Sequence, residues 1–226
     1  MNPDYLIHKQ KADECWLIVH GYRGYPGEFV RPAVDLFDAG FDVFVPRLPG
    51  HGTCGKDFIR SHSKDWMGLV ENAVRDLRTR YSKVHLLGHS MGTAMVAILA
   101  GAYPEIGKVI YVSPSSKYHL HYEDAPCDEL YLGREYWTWF FTRQLPEYYR
   151  LMKKGLESVR VDRHEHLVIC PGRDRIISLP SLKLYREAVG DRQNYVIIEN
   201  GTHSLFYDKD TQAEEKAVEA VLEFAK

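Results

Sequence analysis

Several absences bound this chain of 226 residues before any motif is considered. No apolar run approaches the roughly 18 residues that a membrane-spanning helix needs. The first residues, MNPDYLIHKQKADE, carry charges where a secretory signal would need an apolar core, so the expected location is the cytoplasm and no stable membrane association is expected. Neither charge sign dominates: 29 basic residues face 31 acidic ones, for a formal charge of −2. That balance leaves no electrostatic footprint for nucleic acid or an anionic surface, and favours a small, roughly neutral ligand. Cysteine is scarce. Cys15, Cys54, Cys127 and Cys170 are scattered, with no C-x-x-C pair, which excludes a disulfide framework and a zinc knuckle and leaves mostly buried, reduced thiols. There are no internal repeats, low-complexity tracts or flexible linkers, so the chain is expected to form one domain, or one domain with an insertion.

What is present is an alternation of short apolar runs and amphipathic stretches. The run after Glu14, Cys-Trp-Leu-Ile-Val, suits a strand covered on both faces, with Asp4 to His8 as a short edge strand before it. Pro26 and Glu28 open a helical pattern through Val30, Val34, Leu36 and Phe37 that ends at Gly40. Phe41 to Val45 read as the next strand, and Pro46 to Thr53, with two prolines and two glycines, as a loop. Ser63 is placed to cap a helix whose apolar positions Trp66, Leu69, Val70, Val74 and Leu77 recur at helical spacing. Further strands are expected at Val84–Leu87, Lys108–Ser113, His166–Cys170 and Tyr195–Ile198, with helices after Ser90 and over Leu179–Val189 and Thr211–Phe224. Strand–helix alternation predicts an α/β fold with a doubly wound, mostly parallel sheet. Between about 114 and 165 no strand pattern appears and aromatics crowd in. So long a connection predicts an inserted helical cap.

The stretch Gly88-His89-Ser90-Met91-Gly92 stands between a buried strand and an apolar helix. Gly-x-Ser-x-Gly in that setting is a nucleophile elbow, which holds the serine in a strained backbone conformation with its hydroxyl above the sheet edge. A plain strand-to-helix turn is the alternative. If Ser90 is a nucleophile, an acid and a histidine must follow it on loops after later strands. Asp174, just beyond the strand HLVIC, is the candidate acid; the bland reading is an aspartate that only caps the turn before Ile176. Asp162, Asp191 and Glu199 are weaker rivals. His203, in Asn-Gly-Thr-His-Ser after the last strand, is the candidate base among eleven histidines. Acyl transfer also needs N–H donors for an oxyanion, expected from Met91, directly after the serine, and from Tyr22 in His20-Gly21-Tyr22-Arg23-Gly24.

The other histidines have quieter readings. His89 is better seen as packing than as a base, and His51 as tying its loop together by hydrogen bonds. His164 and His166 straddle a strand start, one ring expected inward and one outward, a structural trio with Glu165 rather than a metal pair. His119 and His121 would share a face only if extended. No third ligand stands at a motif spacing beside either pair, so no metal is expected. Trp137, Phe140 and Phe141, spaced by three and four, form a helical stripe that either lines an acyl pocket or glues the cap to the sheet.

Together, HGYRG, LPGHGT, GHSMG, Arg173-Asp174-Arg175-Ile176-Ile177 and Gly-Thr-His-Ser resemble the α/β-hydrolase family, in its small bacterial carboxylesterase and monoacylglycerol-lipase-like branch. The resemblance covers nearly the whole chain except the cap. It implies a serine hydrolase with Ser90 as nucleophile, Asp174 and His203 as partners, and Tyr22 and Met91 as oxyanion donors. Carboxylic esters of small or medium acyl chains would be split through an acyl-enzyme, without a cofactor. Pro171 departs from the glycine common before the acid loop. A thioesterase, amidase or carbon–carbon hydrolase would use the same residues, and a binding protein on a hydrolase scaffold is the non-enzyme alternative. Nothing in the sequence speaks to oligomeric state.

Overall fold

The structure, a computed structural model, describes residues 5–7, 12–116, 144–177, 179–190, 193–207 and 211–226. Seven strands form one sheet: β1 (Tyr5–Ile7), β2 (Glu14–Val19), β3 (Asp42–Val45), β4 (Lys83–His89), β5 (Val109–Val112), β6 (His166–Pro171) and β7 (Gln193–Ile198). Their order is β1-β3-β2-β4-β5-β6-β7, and every pairing is parallel except that of β1 with β3. The helices are α1 (Val30–Asp38), α2 (Gly55–Arg60), α3 (Ser63–Arg80), α4 (Met91–Ala102), α5 (Leu145–Val161), α6 (Leu179–Val189) and α7 (Thr211–Ala225).

The pleat explains why the strands read as continuous apolar runs. Cys15, Leu17 and Val19 of β2 enter one core with Trp66, Val70 and Met95, while Trp16 and Ile18 enter a second core with Leu36, Val218 and Val221. β5 and β6 divide in the same way, Val109, Tyr111, Val168 and Cys170 to the first core and Ile110, Val112, Leu167 and Ile169 to the second. Neither face meets water, so alternation of polar and apolar residues is absent. Each fully buried Leu or Ile contributes about 1.5–3 kcal/mol to the stability of these central strands. The expected doubly wound, mostly parallel α/β sheet is therefore present.

The chain passes from β2 outward to β3 and then back across β2 to β4. The direction of winding reverses between β2 and β4, which lie side by side with Val19 opposite Gly88. Loops that leave the carboxyl ends of two such strands diverge and open a crevice, the usual ligand site of an open parallel sheet. The loop after β2 is His20–Gly24 and the one after β4 is the Ser90 corner.

Some local expectations are corrected. Val30 and Val34 of α1 are exposed, because Pro32, Ala33 and Leu36 supply the buried face instead. The N-cap of α3 is His62 rather than Ser63: its backbone N–H donates to Asp65 Oδ2, and Ser63 is the first helical residue. The short helix α2 had no periodic signal in the sequence; it packs through Phe58 alone among its large apolar residues that are fully buried. Cys54 is exposed, whereas Cys15 and Cys170 are buried, and burial pushes their thiols up to about 12 and about 11. Of the stretch assigned to a cap, 117–143 lies outside the described residues, and with it Trp137, Phe140, Phe141, His119, His121 and Cys127. Its last part is α5, which lies against α4 so closely that a Cβ on Gly155 would come within 2.6 Å of Ala94 Cα.

Candidate active site

Ser90 follows β4 with φ 52° and ψ −118°, a conformation that costs a non-glycine residue about 1–3 kcal/mol. The surrounding backbone imposes it. The Ser90 N–H donates to Val112 O of β5 at 2.9 Å, while its carbonyl accepts from Thr93 N and Thr93 Oγ1 within the first turn of α4. Glycines on both sides let the chains approach. A Cβ on Gly92 would stand 2.1 Å from Val19 O, and one on Gly88 2.6 Å from Gly92 O. The spacing of the motif is thus a packing requirement: strand, corner and helix fit only without those two side chains.

The loop after β2 presses on this corner. A Cβ on Gly21 would lie 2.9 Å from Ser90 Cβ and 3.3 Å from His89 Nδ1. The loop closes in a turn from Gly24 N to Gly21 O, with Arg23 at φ 66°. His20 anchors it beneath: Nδ1–H donates to Gly21 O at 2.9 Å and Nε2 accepts from Leu48 N at 3.1 Å, a neutral ring whose pKa burial lowers to about 4. Tyr22 directly follows the glycine that abuts Ser90. Met91 is the first residue of α4, and N–H groups in a first helical turn have no intrahelical acceptor.

His203 and Asp174 meet across 29 residues of sequence, His203 Nδ1 lying 2.8 Å from Asp174 Oδ2. A carboxylate only accepts, so Nδ1 carries a proton, and in the neutral ring Nε2 is the atom with the lone pair. Asp174 Oδ1 meanwhile accepts the N–H groups of Ile176 and Ile177, each at 2.8 Å. The turn-capping role and the histidine partnership, alternatives in the sequence, are held at once by the two oxygens. Burial by itself would raise the Asp174 pKa; the His203 charge and hydrogen bond and the two amides outweigh it, and the net shift is downward. The carboxyl stays ionised. Its side chain is 2 % exposed and that of His203 12 %.

His203 is fixed beside the elbow through its backbone. Its carbonyl oxygen accepts from His89 Nε2–H at 2.8 Å and from Ser113 Oγ–H at 3.2 Å, and the rings of His89 and His203 are 5.0 Å apart. Sequence reasoning gave His89 only a packing role and did not single out Ser113. The signal for Ser113 was its place at the end of β5, beside the elbow; its positive φ of 48° is visible only in the fold.

The other candidates lie elsewhere. Asp162 is buried beyond the opposite, amino end of β6, with His166 Nε2 at 2.6 Å from Oδ2 and His164 Nδ1 on Oδ1. His164 is therefore not turned out to solvent as expected; both rings serve one carboxylate, and that is why each stays close to the chain. Burial opposes ionisation of Asp162, but the hydrogen bonds from both histidines prevail and hold its pKa well below the usual range. Glu199 is exposed, and Asp191 lies outside the described residues. Among the described residues no group of three or more His, Cys, Asp or Glu side chains is arranged to hold a metal ion, and no helix is long and apolar enough to cross a membrane. His51 ties its loop as expected, through Nδ1–H to Pro49 O at 3.1 Å.

A family model for the alpha/beta hydrolase family matches residues 16–216. The chain belongs to that family. It is 35% identical over 98 residues to a thermostable monoacylglycerol lipase of Bacillus sp. (strain H-257), a match covering 43% of this chain and 39% of that protein. It is 30% identical over 138 residues to 2-hydroxy-6-oxo-6-phenylhexa-2,4-dienoate hydrolase of Comamonas testosteroni, covering 57% and 47%. The matches thus span less than half the length of these relatives. Among solved structures, a Paleococcus ferrophilus monoacylglycerol lipase superposes with a TM-score of 0.74 at 16% identity over 97% of this chain and 96% of that one. A structure described under LipS and LipT, two metagenome-derived lipolytic enzymes, reaches 0.79 at 20% identity, covering 96% of both chains. At such identities the likeness is one of alpha/beta hydrolase fold.

Proposed function

We propose that this alpha/beta hydrolase cleaves carboxylic esters of small or medium acyl chains through an acyl-enzyme on Ser90. The observation that carries the reading is the short contact between His203 Nδ1 and the ionised Asp174, on a loop pinned to the residue before the strained Ser90. In that tautomer His203 Nε2 is free to take the Ser90 proton as the hydroxyl oxygen attacks the ester carbonyl. Negative charge then develops on the carbonyl oxygen, and the backbone N–H groups of Tyr22 and Met91 are its donors in this reading. His203 returns the proton to the leaving alcohol. Water, deprotonated by the same imidazole, attacks the acyl-enzyme, the imidazolium returns the proton to the Ser90 oxygen as the acyl bond breaks and the acid leaves, and Asp174 stabilises the imidazolium in both halves. No step calls for a cofactor. The monoacylglycerol lipase relative supports an ester as substrate.

A carbon–carbon bond hydrolase is the second reading, favoured by the Comamonas testosteroni relative, whose match covers more of the chain. The same five groups would serve it, because the leaving group is selected by the pocket rather than by the triad. A panel of p-nitrophenyl esters of graded acyl length, with thioesters, amides and vinylogous 1,5-diketones, separates the readings by kcat/KM. A fluorophosphonate probe run in parallel should label Ser90, and Ser90→Ala should abolish both labelling and turnover. Retained esterase activity in Ser90→Ala would remove the nucleophile assignment.

A further inference from the structure

The side chain of Tyr22 is held by a residue far away in sequence. Gln144, at the start of α5, is 1 % exposed, and its amide makes three hydrogen bonds. Nε2 donates to Phe58 O of α2 at 2.5 Å and to Ser61 O at 2.8 Å; Oε1 accepts from the Tyr22 hydroxyl at 3.1 Å. Both N–H groups are directed at carbonyls, which can only accept, so the amide orientation is unambiguous and Oε1 has to face the tyrosine. The Tyr22 ring is gripped as well. It stacks on Tyr148, one turn along α5, with centroids 5.0 Å apart and planes 4° from parallel, and it meets Phe58 and Trp66 edge-on at 5.2 and 5.9 Å.

We propose that Gln144 is a positioning residue for the reaction: by pinning the Tyr22 hydroxyl it fixes the backbone N–H of Tyr22 over the oxyanion site beside Ser90. The inference rests on the functional reading above, in which that N–H is a donor. The mechanical link is short and stiff. Tyr22 has two side-chain torsions between its hydroxyl and its backbone, and neighbouring Gly21 already abuts Ser90 Cβ, so a displaced ring moves the donor peptide relative to the nucleophile. Oxyanion donors work only over a narrow range of distance, and a misplacement of about 1 Å costs on the order of a hundredfold in rate. An ordinary structural anchor would need no such connection, and the chain has one for comparison. Glu147, three residues on, accepts from Ser63 N at 2.9 Å and pairs with His62 Nδ1 at 3.0 Å, bonds that fasten α5 to α3.

The test measures kcat, KM, thermal midpoint and affinity for an alkyl boronic acid, whose tetrahedral adduct on Ser90 mimics the oxyanion, in Tyr22→Phe, Gln144→Met, the double variant and Glu147→Ala. Tyr22→Phe keeps the ring and the N–H and removes the bond to Oε1, so it carries the test even where Gln144→Met folds poorly. Its kcat should fall roughly tenfold with KM within about twofold, the pattern of an interaction made in the transition state. Boronic acid affinity should fall in parallel. With Phe at position 22, Gln144→Met should cost less than about twofold further in kcat, since both changes break one link. Glu147→Ala should lower the midpoint and leave kcat intact. Unchanged kcat and boronic acid affinity in Tyr22→Phe, or fully additive losses in the double variant, would overturn the proposal while leaving the triad standing. Turnover surviving in Ser90→Ala under the same assay would instead overturn the site reading and this proposal with it.

Discussion

The carbonyl oxygen of His203 accepts a hydrogen bond from Nε2 of His89, the residue directly before Ser90. The carbonyl cannot donate, so the proton sits on Nε2 and His89 Nδ1 is left in a buried position with no hydrogen-bond partner among the described residues. Burial, with the nearby His203 second, lowers the His89 pKa to about 3, so the neutral ring keeps this bond over the whole working range of pH. His89→Leu should therefore loosen the His203 loop and lower kcat roughly tenfold, the equivalent of one hydrogen bond of about 1.4 kcal/mol. His89→Gln, whose amide N–H can reach the same carbonyl, should recover most of that loss. Equal kcat in wild type and His89→Leu would show that Ser113 alone suffices to hold the loop.

Asp174→Asn should fold, because Oδ1 can still accept from Ile176 and Ile177. The new amide would face His203 with a donor and drive the ring into the tautomer whose Nε2 is protonated and unable to accept from Ser90. A loss of about 10⁴ in kcat with little change in thermal midpoint is expected. Steady-state kinetics beside calorimetry decide it; a small rate loss would move the acid role away from Asp174.

Asp162→Asn should do the reverse. Removing the carboxylate from between two histidines at the far end of the sheet should cost stability, about 3–5 kcal/mol for a broken buried pair, and leave kcat of the remaining folded enzyme unchanged. The linkage has a definite sign. A carboxyl whose folded pKa is depressed stabilises above its ordinary value near 4, and that stabilisation is lost as pH falls towards the folded value, so wild type should lose more stability than Asp162→Asn on acidification below about pH 4. Urea melts at pH 3 to 5 test this.

Acid should weaken the fold earlier through buried histidines. His20, at about 4, and His51, well below the ordinary value, are both held neutral chiefly by desolvation, with mutual repulsion adding to it at His51. In the unfolded chain both protonate near pH 6.5, so between that pH and their folded values the unfolded state binds more protons and stability falls as pH drops. Each such proton adds a slope of up to about 1.4 kcal/mol per pH unit. His51→Asn, which can keep a donor towards Pro49 O, should flatten the decline of the thermal midpoint between pH 6.5 and 4.5 relative to wild type. An unchanged slope would mean that His51 does not titrate on unfolding in that window.

Ser90, Asp174 and His203 were legible as candidates because their recognition rests on order along the chain: strand, Gly-x-Ser-x-Gly, later strand and Asp, last strand and His. The glycines were legible for the same local reason, and the sheet followed from buried runs that a two-sided core requires. Trp137, Phe140 and Phe141 remain a helical stripe in the sequence with two readings, outside the described residues.

What a linear pattern contains is who is near whom along one strand or one helix turn; it therefore determined the fold class, the strand–corner–helix path through Ser90 and, among the described residues, the helix faces apart from Val30 and Val34. Hydrogen bonds between residues dozens of positions apart depend on strand order and on where a side chain meets a foreign carbonyl. Only the folded sheet decided that Asp174 both caps its own turn and holds His203, that His164 and His166 share Asp162, that His89 and Ser113 grip His203 O, and that Gln144 reaches Tyr22. The physical reason is common to all four: a buried donor or acceptor must be matched at about 3 Å or cost free energy, and the partner is chosen by proximity in three dimensions, not by residue type or spacing.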